Sequence, residues 1–219
     1  MLRALFEKTG NAVYISHLDL MRLFQRSFKR AGLALTHTKG FNPRPSVSIA
    51  LPLSLGVESH CELLDFELER EQISCEEIKE RLNKTLTDGV RILMVYDNGD
   101  KLKHLAFLSC DVWMEYDSGV PLNAQKRITA LFSQPELVLE KKSKNGVTEQ
   151  NIIPMIREIQ VEEKNENVLL IHALICCQNP TLNPAQLSAA VANYLPEITP
   201  DFVRICRREI YNTNLEIVR

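Results

Sequence analysis

YISHLDLMRLFQRSFKRAGLALTHTKGFNPRP, residues 14–45, holds the reading from which the rest of the chain is organised. Ser16 is placed to cap a helix, and Asp19, three residues on, answers the cap and suits the positive end of the helix dipole. Leu20, Phe24 and Phe28, with Leu23 between them, recur at a spacing that gives one apolar face at 3.6 residues per turn. Arg22, Arg26, Lys29 and Arg30 fall on another face, and Gly32 is a stop signal. Lys39-Gly40-Phe41-Asn42-Pro43-Arg44-Pro45 then reads as a semi-rigid basic loop, too rich in Gly and Pro for a helix or central strand. A cationic helix followed by a cationic loop is a surface suited to anions.

Working outward, alternation at Leu2, Ala4 and Phe6 predicts a strand before this helix, ending at Gly10-Asn11. After the loop, Ser46–Leu51 and Cys61–Glu69 read as strands, the latter with Leu64, Phe66 and Leu68 inward and Asp65, Glu67 and Glu69 outward. Ser74 and Glu77 form a capping box for a second helix with Ile78, Leu82 and Leu86 on its buried stripe. Gly89 ends it, and Val90, Ile92, Met94 and Tyr96 supply a fourth strand. The order βαββαβ is the split βαβ, or ferredoxin-like, arrangement.

Asp97–Lys103 is polar and aperiodic, a linker between domains expected at 1–97 and 104–219. The second half repeats the plan with additions. Cys110, Val112 and Met114 alternate; Pro121 opens a helix bearing Ala124, Ile128 and Leu131; Leu137–Lys142 with a turn at Asn145-Gly146 suggests a hairpin. Ile156–Val161 and Val168–Cys176 are strands, Asn183 and Pro184 begin a helix, and Phe202–Ile210 is the last strand. The expectation is an α+β protein of two tandem ferredoxin-like domains, each of ~100 residues and large enough to own a core.

The formal net charge of −2 conceals an asymmetry. Residues 1–45 hold eight Lys/Arg against Glu7 and Asp19, a net +6, which leaves −8 on the other 174 residues. A polyanion partner is therefore directed to the first fifth of the chain. No apolar run reaches spanning length and no secretory leader is visible, so no membrane association and a cytoplasmic location are expected. The six cysteines include no CxxC pair and no cluster-binding run, and neither GxxxxGK[ST] nor GxGxxG occurs, so no metal or cofactor is expected.

The residues of the opening stretch, continued as GFNPRPSVSIALPLSLGVES and ELLDFEL to Leu68, closely resemble the radical-SAM-linked family, a domain of unknown function found beside or fused to a radical SAM protein. The resemblance carries no activity; it implies a partner enzyme with the iron–sulfur chemistry this chain lacks. More loosely, tandem ferredoxin-like halves with a basic helix and a Gly-Pro loop look like CRISPR repeat-processing endoribonucleases.

These observations together predict a non-catalytic RNA-binding accessory module for a radical SAM enzyme, its RNA a tRNA or rRNA. Arg22, Arg26, Lys29, Arg30, Lys39 and Arg44 would neutralise phosphates and Phe41 would stack on a base. An alternative is a metal-independent endoribonuclease in which His17 or His37 moves protons and Lys39 or Arg44 stabilises the oxyanion. A third makes the basic face a docking surface for the partner protein. His60, beside Glu58 and Ser59, makes no triad, since adjacent side chains diverge, and His172 reads as a satisfied core residue.

Overall fold

A computed structural model of the 219-residue chain describes residues 1–69, 73–97, 99–143 and 146–219. The chain is α+β and divides into two compact units, Met1–His104 with Ile217–Arg219, and Leu105–Glu216.

In the first unit β1 (Leu2–Lys8), α1 (His17–Arg30), β2 (Val47–Ile49), β3 (Val57–Phe66), α2 (Cys75–Asn83) and β4 (Val90–Asp97) follow one another. β1 pairs antiparallel with both β3 and β4, and β2 pairs antiparallel with the Leu64–Phe66 end of β3. The order across this part of the sheet is thus β4-β1-β3-β2. Both helices begin as their caps require: Ser16 Oγ accepts from Asp19 N and Ser74 Oγ accepts from Glu77 N, each at 3.2 Å. Each bond satisfies an otherwise orphaned amide of the first turn. The Asp19 carboxylate answers by accepting from the Ser16 hydroxyl at 2.8 Å.

The apolar stripe of α1 packs where its spacing directs it. Phe24 and Phe28 are fully buried, with Phe24 edge-on to Phe6 and Phe28 tilted against Phe66, both pairs at 4.9 Å between centroids. Ile78 and Leu82 of α2 complete this core with Leu64 and Ile92. Burying each such side chain contributes about 1.5–3 kcal/mol, so the aromatic seam sets where α1 lies. Gly89, before β4, has φ +81°, and a Cβ there would come within 2.3 Å of the Thr9 carbonyl oxygen. Only glycine lets the start of β4 pass that close to the end of β1.

Two expectations are corrected in this unit. Asp65 does not face water: it is buried against Arg3, which donates from Nε to Oδ1 at 2.5 Å and from Nη2 to Oδ2 at 3.0 Å. A charged residue alternating with leucines reads as outward until a buried partner from another strand is known. Arg3 Nη1 also donates to the carbonyls of Asp100 and Arg219. Those bonds draw Ile217–Arg219 into the first unit, away from the 104–219 span expected for the second domain.

The second unit contains β5 (Leu105–Glu115), α3 (Ala124–Phe132), β6 (Val138–Ser143), β7 (Gly146–Asn151), β8 (Ile156–Asn165), β9 (Val168–Cys176), α4 (Ala185–Tyr194) and β10 (Phe202–Asn212). Its sheet runs β10-β5-β9-β8 with antiparallel pairs, while β6 and β7 form a separate two-stranded ribbon. Asn145 of the expected turn lies outside the described residues. Helix α3 starts three residues after Pro121, behind Asn123 in the left-handed conformation at φ +60°. Asn183 does cap α4, its Oδ1 accepting from Ala185 N at 3.0 Å.

His172 is not a core residue. It lies on the face of β9 away from buried Ile171 and Ala173, half exposed, with Nδ1 2.6 Å from Asp111 and Nε2 3.0 Å from Glu162. Trp113 is half-buried on the same face, with the guanidinium carbons of Arg204 and Arg208 at 5.2 and 5.4 Å from its ring centroid. Those arginines pair with Glu115 and Asp111 respectively, so their charges are matched locally.

Candidate nucleic-acid interface

Because Leu20, Phe24 and Phe28 face the sheet, the opposite side of α1 is committed to solvent. Arg22, Arg26, Lys29 and Arg30 are all exposed there. Their surroundings differ. Arg22 donates to Asp19 at 2.8 Å, and Asp19, bonded first to the Ser16 hydroxyl and then to Arg22, titrates below the ordinary aspartate range. Arg30 donates from Nη2 to the Thr85 carbonyl at 2.7 Å and to Ser27 Oγ at 3.3 Å, which ties α1 to the segment after α2. Arg26 and Lys29 make no ion pair with any described residue. These two are the stripe's available cations, with Arg22 half-committed and Arg30 chiefly a brace.

The segment after α1 is more ordered than its composition suggests. Leu35 bridges Leu68, Thr36 N donates to the Glu67 carbonyl at 2.9 Å, and Ser46 N donates to the Thr36 carbonyl at 2.8 Å. Beyond this root the two limbs pair again. Thr38 N donates to the Arg44 carbonyl at 2.8 Å, Arg44 N donates to Thr38 Oγ1 at 3.0 Å, and His37 bridges Pro45. The result is a narrow arm with Lys39–Asn42 at its tip. Gly40 there has φ +142°, where side chains are disfavoured. Lys39, Phe41 and Arg44 are exposed, and the Phe41 ring is completely so.

Helix direction decides which of these groups share an end of the unit. The chain leaves β1 at Lys8, turns through Gly10–Tyr14 and returns along α1. The arm's root pairs with Glu67 and Leu68, just past Phe66, which stands opposite Leu2 at the start of β1. The C-terminal end of α1, with Lys29, and the arm with Lys39, Phe41 and Arg44 therefore lie at the same end. His17 opens α1 at the other. Fourteen helical residues at ~1.5 Å each put ~20 Å between the helix ends. His17 and His37 do not meet, and a proton relay using both at one phosphate has no geometry here.

None of these cations lines either of the two cavities beside the arm's root. Beside the arm's root a cavity of about 520 Å³ is lined by Thr36, Leu68 and Ile78 together with the acidic Glu67 and Asp97. A smaller one of about 260 Å³ lies between Thr38, Pro45, Val47 and Glu67. Positive charge sits on the exposed face of α1 and on the arm.

Among the described residues no group of three His, Cys, Asp or Glu side chains is placed to hold a metal ion, and no helix is long and apolar enough to cross a membrane. Burial raises the pKa of the Cys110 thiol to about 12 and that of Cys177 to about 11, so neither is a thiolate near neutrality.

The family model described as an uncharacterized protein conserved in bacteria, DUF2344, matches residues 1–184. The chain belongs to this family. Within it, the α1 face and the arm fall inside the matched span, which runs to the start of α4. No curated protein matches the chain. Among solved structures, a chain in the crystal structure of a Cbf5-Nop10-Gar1 complex is similar over 94% of this DUF2344 chain at 10% identity, with a TM-score of 0.51. The match spans 48% of that chain, about half its length, and the likeness is one of fold.

Two features of the interface escape a reading of sequence. Thr38 braces the arm through both its amide and its hydroxyl, and the run Thr38-Lys39-Gly40 hints only at a turn. Arg30 acts as a tie because Thr85 is brought beneath it by the packing of α2, which no local pattern encodes.

Proposed function

We propose that this protein is a non-catalytic RNA-binding accessory module working with a radical SAM enzyme in the cytoplasm. The order βαββαβ in the first unit, and in the second once the β6–β7 ribbon inserted between α3 and β8 is set aside, with the first and third strands of the sheet central in each, supports a ferredoxin-like reading, and a tandem of two such domains for the chain. The radical SAM partner follows from the resemblance carried by Tyr14–Leu68. The observation that carries the RNA reading is the shared end of α1 and the arm: Arg26 and Lys29 in the C-terminal half of the helix, and Lys39 and Arg44 flanking a solvent-exposed Phe41 in the arm, are exposed and without carboxylate partners among the described residues. Phosphates meet cations and a base face meets an aromatic ring, the combination used by proteins that bind single-stranded nucleic acid. Filter binding of the whole chain to total tRNA tests it. Wild type retains RNA at moderate salt and R26A/K29A/K39A/R44A does not; equal retention by the two contradicts the proposal.

One observation favours a second reading, docking of the partner protein. At the far end of α1, Tyr14, Leu18 and Leu55 are 68%, 66% and 63% exposed, and Gly56 N donates to the Val13 carbonyl at 3.0 Å, bringing Leu55 beside Tyr14. Capture of the partner enzyme after nuclease digestion, lost in L18D/L55D, supports docking there; capture unaffected by L18D/L55D contradicts it.

A further inference from the structure

We infer that the RNA this surface takes is one with unpaired nucleotides, a base of which lies against Phe41; the inference rests on the RNA-binding reading above. A completely exposed phenylalanine ring gains nothing from the hydrophobic effect where it stands. Its position is nevertheless held. The Thr38–Arg44 pairing, the Ser46–Thr36 bond beneath it, and prolines at 43 and 45 fix the limbs on which it rides. The ring is thus presented at the end of a braced arm, clear of the core.

A flat apolar ring set between cations matches a flat base set between phosphates. Lys39 precedes Phe41 by two residues and Arg44 follows it by three, which supplies positive charge on both sides of a stacked nucleotide. Duplex RNA does not offer that partner: its base faces are covered by neighbouring bases and its major groove is deep and narrow. Loops, bulges and single strands do. A membrane surface fits less well, because the arm tip carries no other large apolar side chain, only Asn42, Thr38 and prolines around the ring. The ring also has the reach that stacking needs, since no described residue packs over it.

The test uses the whole chain and two labelled RNAs of equal length, one a stem with an unpaired loop and the other fully paired, each titrated at two salt concentrations. F41A weakens binding to the loop RNA by about fivefold to a hundredfold and leaves duplex binding unchanged, while K39A/R44A weakens both. F41W restores loop binding and adds a fluorescence signal to that of Trp113, the one native tryptophan; the loop RNA quenches it and the duplex does not. Equal loss on both RNAs, or no loss on either while salt-sensitive binding persists, overturns the stacking inference and leaves the RNA reading standing. Absence of salt-sensitive binding to either RNA overturns both. A blue shift of F41W on vesicles of anionic phospholipid, without quenching by RNA, overturns the inference in favour of a lipid surface.

Discussion

Arg3 and Asp65 face each other from neighbouring strands as a buried, two-point pair, and the same guanidinium holds the carbonyl of Arg219 at 3.0 Å. One side chain thus connects the first strand of the chain to its last residue. Burial works against the Arg3 charge, but hydrogen bonding to Asp65 and its negative charge outweigh that, and the pKa of Arg3 is raised.

Breaking that pair from one side leaves an uncompensated buried charge. D65A is expected to lower stability by about 3–5 kcal/mol, read from urea denaturation. R3M/D65L, which removes both charges, should recover most of the loss. Equal destabilisation by the single and double variants would show that the pairing is not what D65A disturbs.

Arg30 and Arg26 sit one turn apart on α1 yet should behave differently. R30A removes the donor to the Thr85 carbonyl and costs about 0.5–1.5 kcal/mol of stability. R26A, whose side chain touches no described partner by ion pair or hydrogen bond, should leave stability unchanged to within about 0.5 kcal/mol while weakening RNA binding. The reverse pattern would mean that the roles assigned to the two are wrong.

Alkaline pH should destabilise the protein in a defined window. Burial raises Tyr96 to about 12 against an opposing pull from Arg3, raises Tyr116 to about 12, and raises the Cys110 thiol to about 12. For a group whose pKa is higher folded than unfolded, its contribution is complete below the unfolded value and is lost as pH rises through the folded one. Stability should therefore hold to about pH 9 and fall progressively between pH 9 and 12. Absorbance titration of the phenolates checks it: of the five tyrosines, two should ionise near pH 12 and only as the protein unfolds. Ionisation of all five near pH 10 with the fold intact would refute the assignment.

Asp111 of β5 receives His172 of β9 and Arg208 of β10 at 2.6 and 2.5 Å while itself being buried. D111A should destabilise the second unit by about 3 kcal/mol and leave RNA affinity untouched, because none of these residues belongs to the α1 face or the arm. A change in RNA binding at unchanged stability would move the interface to this sheet.

What sequence made legible was local. The 3.6-residue recurrence of Leu20, Phe24 and Phe28 and the caps at Ser16 and Ser74 are short-range signals with counterparts in the fold, and strands form where alternation placed β1, β4 and β5, although in β4 the alternation breaks at a register shift that leaves Met94 exposed and Val95 buried. What stayed hidden depends on pairings across the chain. Asp65 and His172 occupy strands where polarity alone assigns a face, and the assignment failed in both directions. Asp65 is drawn inside by a residue 62 positions away, and His172 is turned outward by one 61 positions away. The cations of α1 were visible as a stripe, but which are available and which are ties depends on Asp19 and Thr85, the second set by tertiary packing. The arm was visible only as a breaker-rich loop, since its order comes from Thr38 and from strand residues beyond Phe66.

The salt dependence of RNA binding reads out whether the cations of α1 and the arm meet phosphates. If Arg26, Lys29, Lys39 and Arg44 each displace a counterion from single-stranded RNA, log K against log salt has a slope of about −2.8 for the wild-type chain. Removing Lys39 and Arg44 together makes it shallower by about 1.4. A wild-type slope near zero, or one that K39A/R44A does not change, would contradict the account.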